Sequence, residues 1–252
     1  MNSERPAIVA DLLSLSHEFG QRELVILGEG NVSGRLDDST FLVKASGTSL
    51  GSLVEENLTE CRFDRLLSFF EDKPVSDTEV EAALLESRVD PGALKPSVET
   101  FFHAFLLSLP DIRFVGHTHP IAVNQILCSS HARDFSRQRQ CPDEVVCCGP
   151  ISLLIPYVDP GLALARRIRD ELVSFQLGHG KPPRVILLEN HGVIAVGSSV
   201  PAVRAAMLMT VKAAEIYTGA QQLGNLTHLP EHEVTRIESR LDEEYRRKML
   251  RI

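Results

Sequence analysis

The stretch Val115-Gly116-His117-Thr118-His119-Pro120 sets two histidines two residues apart on a segment of extended character. Side chains on a strand repeat with a period of two, so both imidazoles face the same way and aim at one point. Much further along, Leu188-Glu189-Asn190-His191-Gly192 puts a third histidine at a corner between two apolar runs, with Gly192 expected to supply the unusual backbone angles. Catalytic zinc sites commonly take three protein ligands and keep one position open. Histidine pairs at this spacing also occur in ordinary strands, so the weight of the reading comes from the rest of the chain.

With 252 residues and 43% hydrophobic composition, the chain can bury one large core, and a single domain spanning 1–252 is the preferred organisation. Thirty-four acidic against 26 basic residues give a net charge of −8, which argues against nucleic acid or an anionic membrane as the main partner. Five cysteines, Cys61, Cys128, Cys141, Cys147 and Cys148, are an odd number without zinc-binding spacing and read as reduced core thiols of a cytoplasmic protein. Residues 1–10 carry no long apolar run, so neither a signal peptide nor a transmembrane span is expected.

In chain order, residues 7–19 recur with helical period behind Ser3 and Pro6 and before Gly20, an amphipathic opening helix. Residues 24–36 and 40–45 read as the arms of a hairpin turned at Asp37-Asp38, with Asn31, Ser33 and Arg35 alternating along one face. The glycines of Gly28-Glu29-Gly30-Asn31-Val32-Ser33-Gly34, and a second turn at Ser46-Gly47-Thr48, let backbone amides approach an anion, although such loops are more often plain turns. Residues 55–71 are expected to hold a strand and a short helix, 72–96 are the loosest region, and Ser76 with Glu79 has capping-box spacing. Ser97 is the expected N-cap of a buried helix ended by Pro110, with Glu99 in its first turn and His103 one turn on. A first-turn carboxylate is favoured by the helix dipole alone, while the functional alternative is a general acid or base beside a metal. Residues 120–128 read as a helix, 129–140 as a surface loop, and 144–148 and 152–157 as two strands. A helix follows Asp159 and stops at Gly178, leaving His179 in a flexible connector. Residues 201–223 and 231–250 form two closing helices.

Taken in order, Gly30-Asn31-Val32-Ser33-Gly34-Arg35, Ser46-Gly47-Thr48, Pro96-Ser97-Val98-Glu99, His117-Thr118-His119 and Asn190-His191-Gly192 resemble the motifs of the class II aldolase and adducin family over about residues 7–225. The resemblance implies a three-layer α/β/α sandwich around a mixed, largely antiparallel sheet. It also implies assembly as a homotetramer with active sites between subunits. By the same resemblance His117, His119 and His191 are metal ligands, Glu99 is the catalytic acid/base, and Asn31, Ser46, Gly47 and Ser97 hold the phosphate or carboxylate of a small-molecule substrate. Zinc suits three imidazoles, and cobalt, nickel, manganese or iron are accepted as well. Such an ion stabilises the enediolate left when a carbon–carbon bond breaks.

The sequence departs from the sugar-phosphate aldolases at Val98 and Pro120, where they commonly carry serine, so a phosphorylated substrate does not follow from the resemblance. Glu99, where the epimerase branch typically has aspartate, favours an aldolase or a decarboxylase. The expected function is a metal-dependent lyase acting by retro-aldol cleavage on a small hydroxyketone or sugar-phosphate-like substrate. The alternatives are a decarboxylase on the same site and a non-catalytic, adducin-like scaffold. Any of Tyr157, Tyr217 and Tyr245 can be the proton donor lent by a neighbouring chain.

Overall fold

The computed structural model describes residues 4–71 and 73–252. Ser3, read as part of the first capping signal, and Asp72, read as the start of the loosest region, lie outside the described residues. The chain divides into two compact units, Met1–Val115 with Val158–Asp170, and Gly116–Tyr157 with Glu171–Ile252.

The first unit opens with α1 (Arg5–Phe19), which buries Ile8, Val9, Leu12, Leu15 and Phe19 at helical spacing. Strands β1 (Asn31–Arg35), β2 (Thr40–Lys44) and β3 (Leu58–Arg62) form an antiparallel meander, with Gly34 opposite Leu42 and Leu42 opposite Glu60. The hairpin at Asp37-Asp38 is as expected, but its first arm begins only at Asn31. Residues 24–30 instead turn back on themselves through bonds from Leu24 and Val25 N–H to the Gln21 carbonyl. Helix α2 (Phe63–Leu67) follows β3, and α3 (Asp77–Ser87) starts on the capping box of Ser76 and Glu79. Helix α4 (Thr100–Ser108) buries Phe101, Phe102, His103, Ala104, Leu106 and Leu107. Its N-cap is Glu99 rather than Ser97, because Ser97 closes a turn by accepting the Thr100 N–H at 3.0 Å.

Strand β4 (Phe114–Thr118) is buried throughout and leaves the first unit after Val115. In the second unit, α5 (Ile121–Leu127), α6 (Ala132–Arg137) and α7 (Pro142–Cys148) precede the short strand β5 (Leu153–Ile155). Two expectations fail here. The polar stretch 129–140 contains α6, and the segment expected as a strand at 144–148 is helical. Pro142 at the first turn, Asp143 and Glu144 near the N-terminus and Gly149 at φ +81° behind the helix outweigh the β-branched pair Val145-Val146. Helix α8 (Leu162–His179) runs through Gly178, so His179 is not in a connector, and its Nδ1 lies 2.9 Å from the Phe175 carbonyl.

Strands β6 (Val185–Leu188) and β7 (Gly192–Gly197) pair antiparallel, and β5 joins β6 in parallel. Helix α9 (Val200–Leu223) turns a stripe of Val203, Ala206, Met207, Thr210, Ala213, Ala214 and Tyr217 inward and packs on β6, β7, α5 and α7. The last expected helix is two, α10 (Glu231–Glu238) and α11 (Leu241–Leu250), separated at Ser239 and Arg240. The sheet order is β3-β2-β1-β4-β7-β6-β5, a mixed, mostly antiparallel sheet flanked by helices in an α/β/α sandwich. Among the described residues, no helix is long and apolar enough to cross a membrane.

Candidate metal centre

In the second unit, His117 and His119 come from the end of β4 and His191 from the corner between β6 and β7. His117 is fully buried, and its Nδ1 lies 3.0 Å from the carbonyl of Val193. A carbonyl only accepts, so Nδ1 carries the proton and Nε2 keeps its lone pair for a ligand. His119 Nε2 lies 2.9 Å from that nitrogen. Two nitrogens bound to one zinc ion at about 2.0–2.1 Å are roughly 3 Å apart, so this spacing suits two corners of one coordination sphere. The three ring centroids are 4.7, 4.9 and 5.0 Å apart with the rings edge-on to one another, and one ligand atom from each lies within 4.8 Å of the others. Three imidazoles converging at that separation are a donor set for a divalent ion.

The corner that delivers His191 is built differently from the expectation. The left-handed residue is Asn190, at φ +54°, and not Gly192. Gly192 is required for space, since a Cβ there would stand 2.5 Å from the Thr118 carbonyl oxygen and 2.8 Å from His119 Cδ2. The turn is further fixed by His191 N–H to the Leu188 carbonyl, Asn190 N–H to the Leu127 carbonyl, and the Asn124 side-chain amide to the His191 carbonyl at 3.0 Å.

In the first unit, Asn31 begins β1 nearly fully buried and donates its amide to the Glu99 carboxylate. Asn31 Oδ1 and Ser97 Oγ are buried without a hydrogen-bond partner among the described residues, which leaves two polar atoms facing inward that a ligand can satisfy. An antiparallel bridge of Ala45 with Pro96, and the Ser46 N–H bonded to the Lys95 carbonyl, set the exposed turn Ser46-Gly47 alongside the strand-like approach to Ser97. Gly47 takes φ +75°, a left-handed conformation suited to glycine.

Lys44 escaped the sequence reading. It is buried to 1% exposure and its ammonium donates to the carbonyls of Thr48 at 2.7 Å, Gly28 at 3.2 Å and Ala45 at 3.4 Å, tying both glycine-bearing loops together. Burial pushes its pKa down to about 8, against the opposing pull of the Glu99 charge. The only available signal was a cation at the end of an apolar strand. Ser33 Oγ and His103 Nδ1 form a buried pair 2.7 Å apart. Of the tyrosines, Tyr217 is buried with its hydroxyl 3.4 Å from His131 Nδ1, whereas Tyr157 and Tyr245 are more than half exposed.

An α/β/α sandwich carrying three convergent histidines defines a class of protein, and the comparison with known families names it. The chain belongs to the Class II Aldolase and Adducin N-terminal domain family, whose model matches residues 10–218. It is 30% identical over 189 residues, 74% of this chain and 75% of the other, to 3-oxo-tetronate 4-phosphate decarboxylase of Haemophilus influenzae. Identity is 29% over 208 residues to methylthioribulose-1-phosphate dehydratase of Yersinia enterocolitica, covering 77% of this chain and 82% of that one. An uncharacterized oxidoreductase of Bacillus subtilis, YuxG, is 25% identical over 206 residues; these are 78% of this chain and only 27% of the relative's length. Among solved structures, the N-terminal class II aldolase domain of a conserved Thermoplasma acidophilum protein superposes with a TM-score of 0.68 at 26% identity, covering 83% of this chain and 93% of that one.

Proposed function

We propose that this chain is a metal-dependent lyase, a single class II aldolase-like domain that breaks a carbon–carbon bond beside the carbonyl of a small, hydroxylated, anionic substrate. The observation that carries the reading is the convergence of His117, His119 and His191 with the Val193 carbonyl fixing the tautomer of the first. A divalent ion held by these imidazoles, zinc being the best fit to them, supplies Lewis-acid polarisation of a substrate carbonyl.

The chain's own residues do the rest. Glu99 takes the proton of the substrate hydroxyl as the carbon–carbon bond breaks and that carbon–oxygen bond becomes a carbonyl. The electron pair of the broken bond stays with the other fragment, and Glu99 returns the proton to its carbon. Asn31 holds the Glu99 carboxylate in place through its amide. Ser97 Oγ, Asn31 and the Ser46-Gly47 turn receive the substrate's anionic end, and the buried hydroxyl and carboxamide oxygen awaiting partners support this. The protein works as a cytoplasmic homotetramer, and an exposed tyrosine, Tyr157 or Tyr245, is lent to a neighbouring site.

Decarboxylation on the same residues is the second reading, favoured by the Haemophilus relative. There the electron pair of the bond to the departing carbon dioxide stays on the substrate, and Glu99 protonates the carbon. Zinc-loaded protein incubated with a panel of hydroxyketone phosphates and 3-oxo acids separates the two, since the first reading expects an aldehyde fragment and the second carbon dioxide. Neither product from the panel counts against both. Glu99→Gln is expected to leave metal content unchanged and slow turnover at least about 100-fold. Unchanged turnover would remove Glu99 from the mechanism.

A further inference from the structure

Helix α5 starts immediately behind His119 and Pro120, and reads Ile-Ala-Val-Asn-Gln-Ile-Leu. Asn124 sits in the middle of it with Val123, Ile126 and Leu127 buried around it. Its backbone is already satisfied within the helix, its N–H by Pro120 at 2.8 Å and its carbonyl by the Cys128 N–H at 2.9 Å. The side chain adds nothing to the helix, since asparagine is a poor helix former, and its Oδ1 is buried without a partner among the described residues. A leucine has the same branched outline and carries no polar oxygen to leave without a partner. What the carboxamide does is donate from Nδ2 to the carbonyl of His191 at 3.0 Å. One turn later the Leu127 carbonyl accepts the Asn190 N–H at 3.3 Å, so α5 grips the left-handed corner at two successive residues.

We propose that Asn124 is a positioning residue for the metal centre, which sets the direction of the His191 side chain by holding that residue's carbonyl. The proposal rests on the reading of the three histidines as a metal site. One short helix then links both arms of the site, covalently to His119 at its start and by this hydrogen bond to His191. Without the donor, the corner is held on this side only by the Asn190 N–H bond to the Leu127 carbonyl, it can rotate about Asn190, and the third imidazole loses its aim.

The test is the zinc affinity of the full-length protein, measured by competition with a chromophoric chelator, for wild type, Asn124→Leu and Asn124→Asp. Partners that orient metal ligands typically contribute about 10–100-fold in affinity, and a loss of that size is expected in both variants. Asn124→Asp keeps the shape and adds a negative charge that by itself would favour a cation, so weaker binding there is traced to the missing donor. The metal-free thermal midpoint of Asn124→Leu is expected to change little, because the oxygen buried without a partner is removed together with the donor, so a loss of zinc affinity in this variant is traced to the metal centre. Zinc affinity within about twofold of wild type, or tighter, in either folded variant overturns the positioning role and leaves the lyase reading standing. A wild type that binds no zinc overturns the lyase reading and this role with it. Should Asn124→Leu fail to fold, a purely structural role is indicated for its packing, and Asn124→Asp alone decides the role of the donor.

Discussion

At His117 a single hydrogen bond decides which ring nitrogen is available, and the neighbouring glycine decides whether the rings can meet. The Val193 carbonyl accepts a hydrogen bond from Nδ1–H, and Nε2 faces His119. Gly192 leaves room for both rings, and a methyl group there would meet backbone oxygen at 2.5 Å, where nothing flexible can yield. Gly192→Ala is therefore expected to destabilise the protein by about 1–3 kcal/mol, as overpacking does, and to weaken zinc binding as the rings are pushed apart. Chemical denaturation alongside a zinc titration checks this, and a folded variant with wild-type zinc affinity would show that the close approach is unimportant. The same position shows what the sequence conceals. His191 and Gly192 were legible as a corner, but the left-handed turn falls on Asn190, because asparagine tolerates that conformation and the glycine is needed for clearance instead.

Elements were legible where two independent signals agreed. The opening helix, the Asp37-Asp38 hairpin, the Ser76 capping box and the strands around His117 and His191 each combined an apolar period with a cap or turn residue. Reading failed where one signal stood alone. Val145-Val146 looked like strand, and the proline, acids and glycine around it made α7. Residues 231–250 looked like one helix, and the chain breaks it at Ser239 and Arg240, with Arg240 paired to Asp242 at the start of α11. The residues proposed to act through their own chemistry, the histidines and Glu99, announced themselves by type and spacing. Those that act by holding backbone, Lys44 and Asn124, did not, because their partners are carbonyls far along the chain that no side-chain pattern encodes.

At the scale of the whole molecule, buried titratable groups shape the response to pH. Burial pushes the thiols of Cys61 and Cys148 up to about 12 and the ammonium of Lys44 down to about 8. Lys44 binds fewer protons folded than unfolded between its lowered value and the ordinary one near 10.5, so in that window it makes stability rise with pH. Each thiol is held protonated in the fold, so its contribution is intact below pH 9 and is lost as pH rises toward 12. Burial raises the thiols of Cys141 and Cys147 as well, so the thiols together outweigh the one ammonium, and stability is expected to peak near pH 9 and then fall. In Cys61→Ala/Cys148→Ala the fall above pH 9 should be shallower. Denaturant midpoints measured across this range check the sign, and a wild-type curve that climbs past pH 10 would contradict the burial of both thiols.

The central claim is that three histidines brought together by the fold hold a catalytic ion. The metal content of protein purified without chelator or nickel resin, measured by elemental analysis beside His117→Ala/His119→Ala/His191→Ala, tests it most directly. About one divalent ion per chain is expected in the wild type and none in the variant. No metal in the wild type, even after reconstitution with zinc, would contradict the account and leave an assembly scaffold as the better reading.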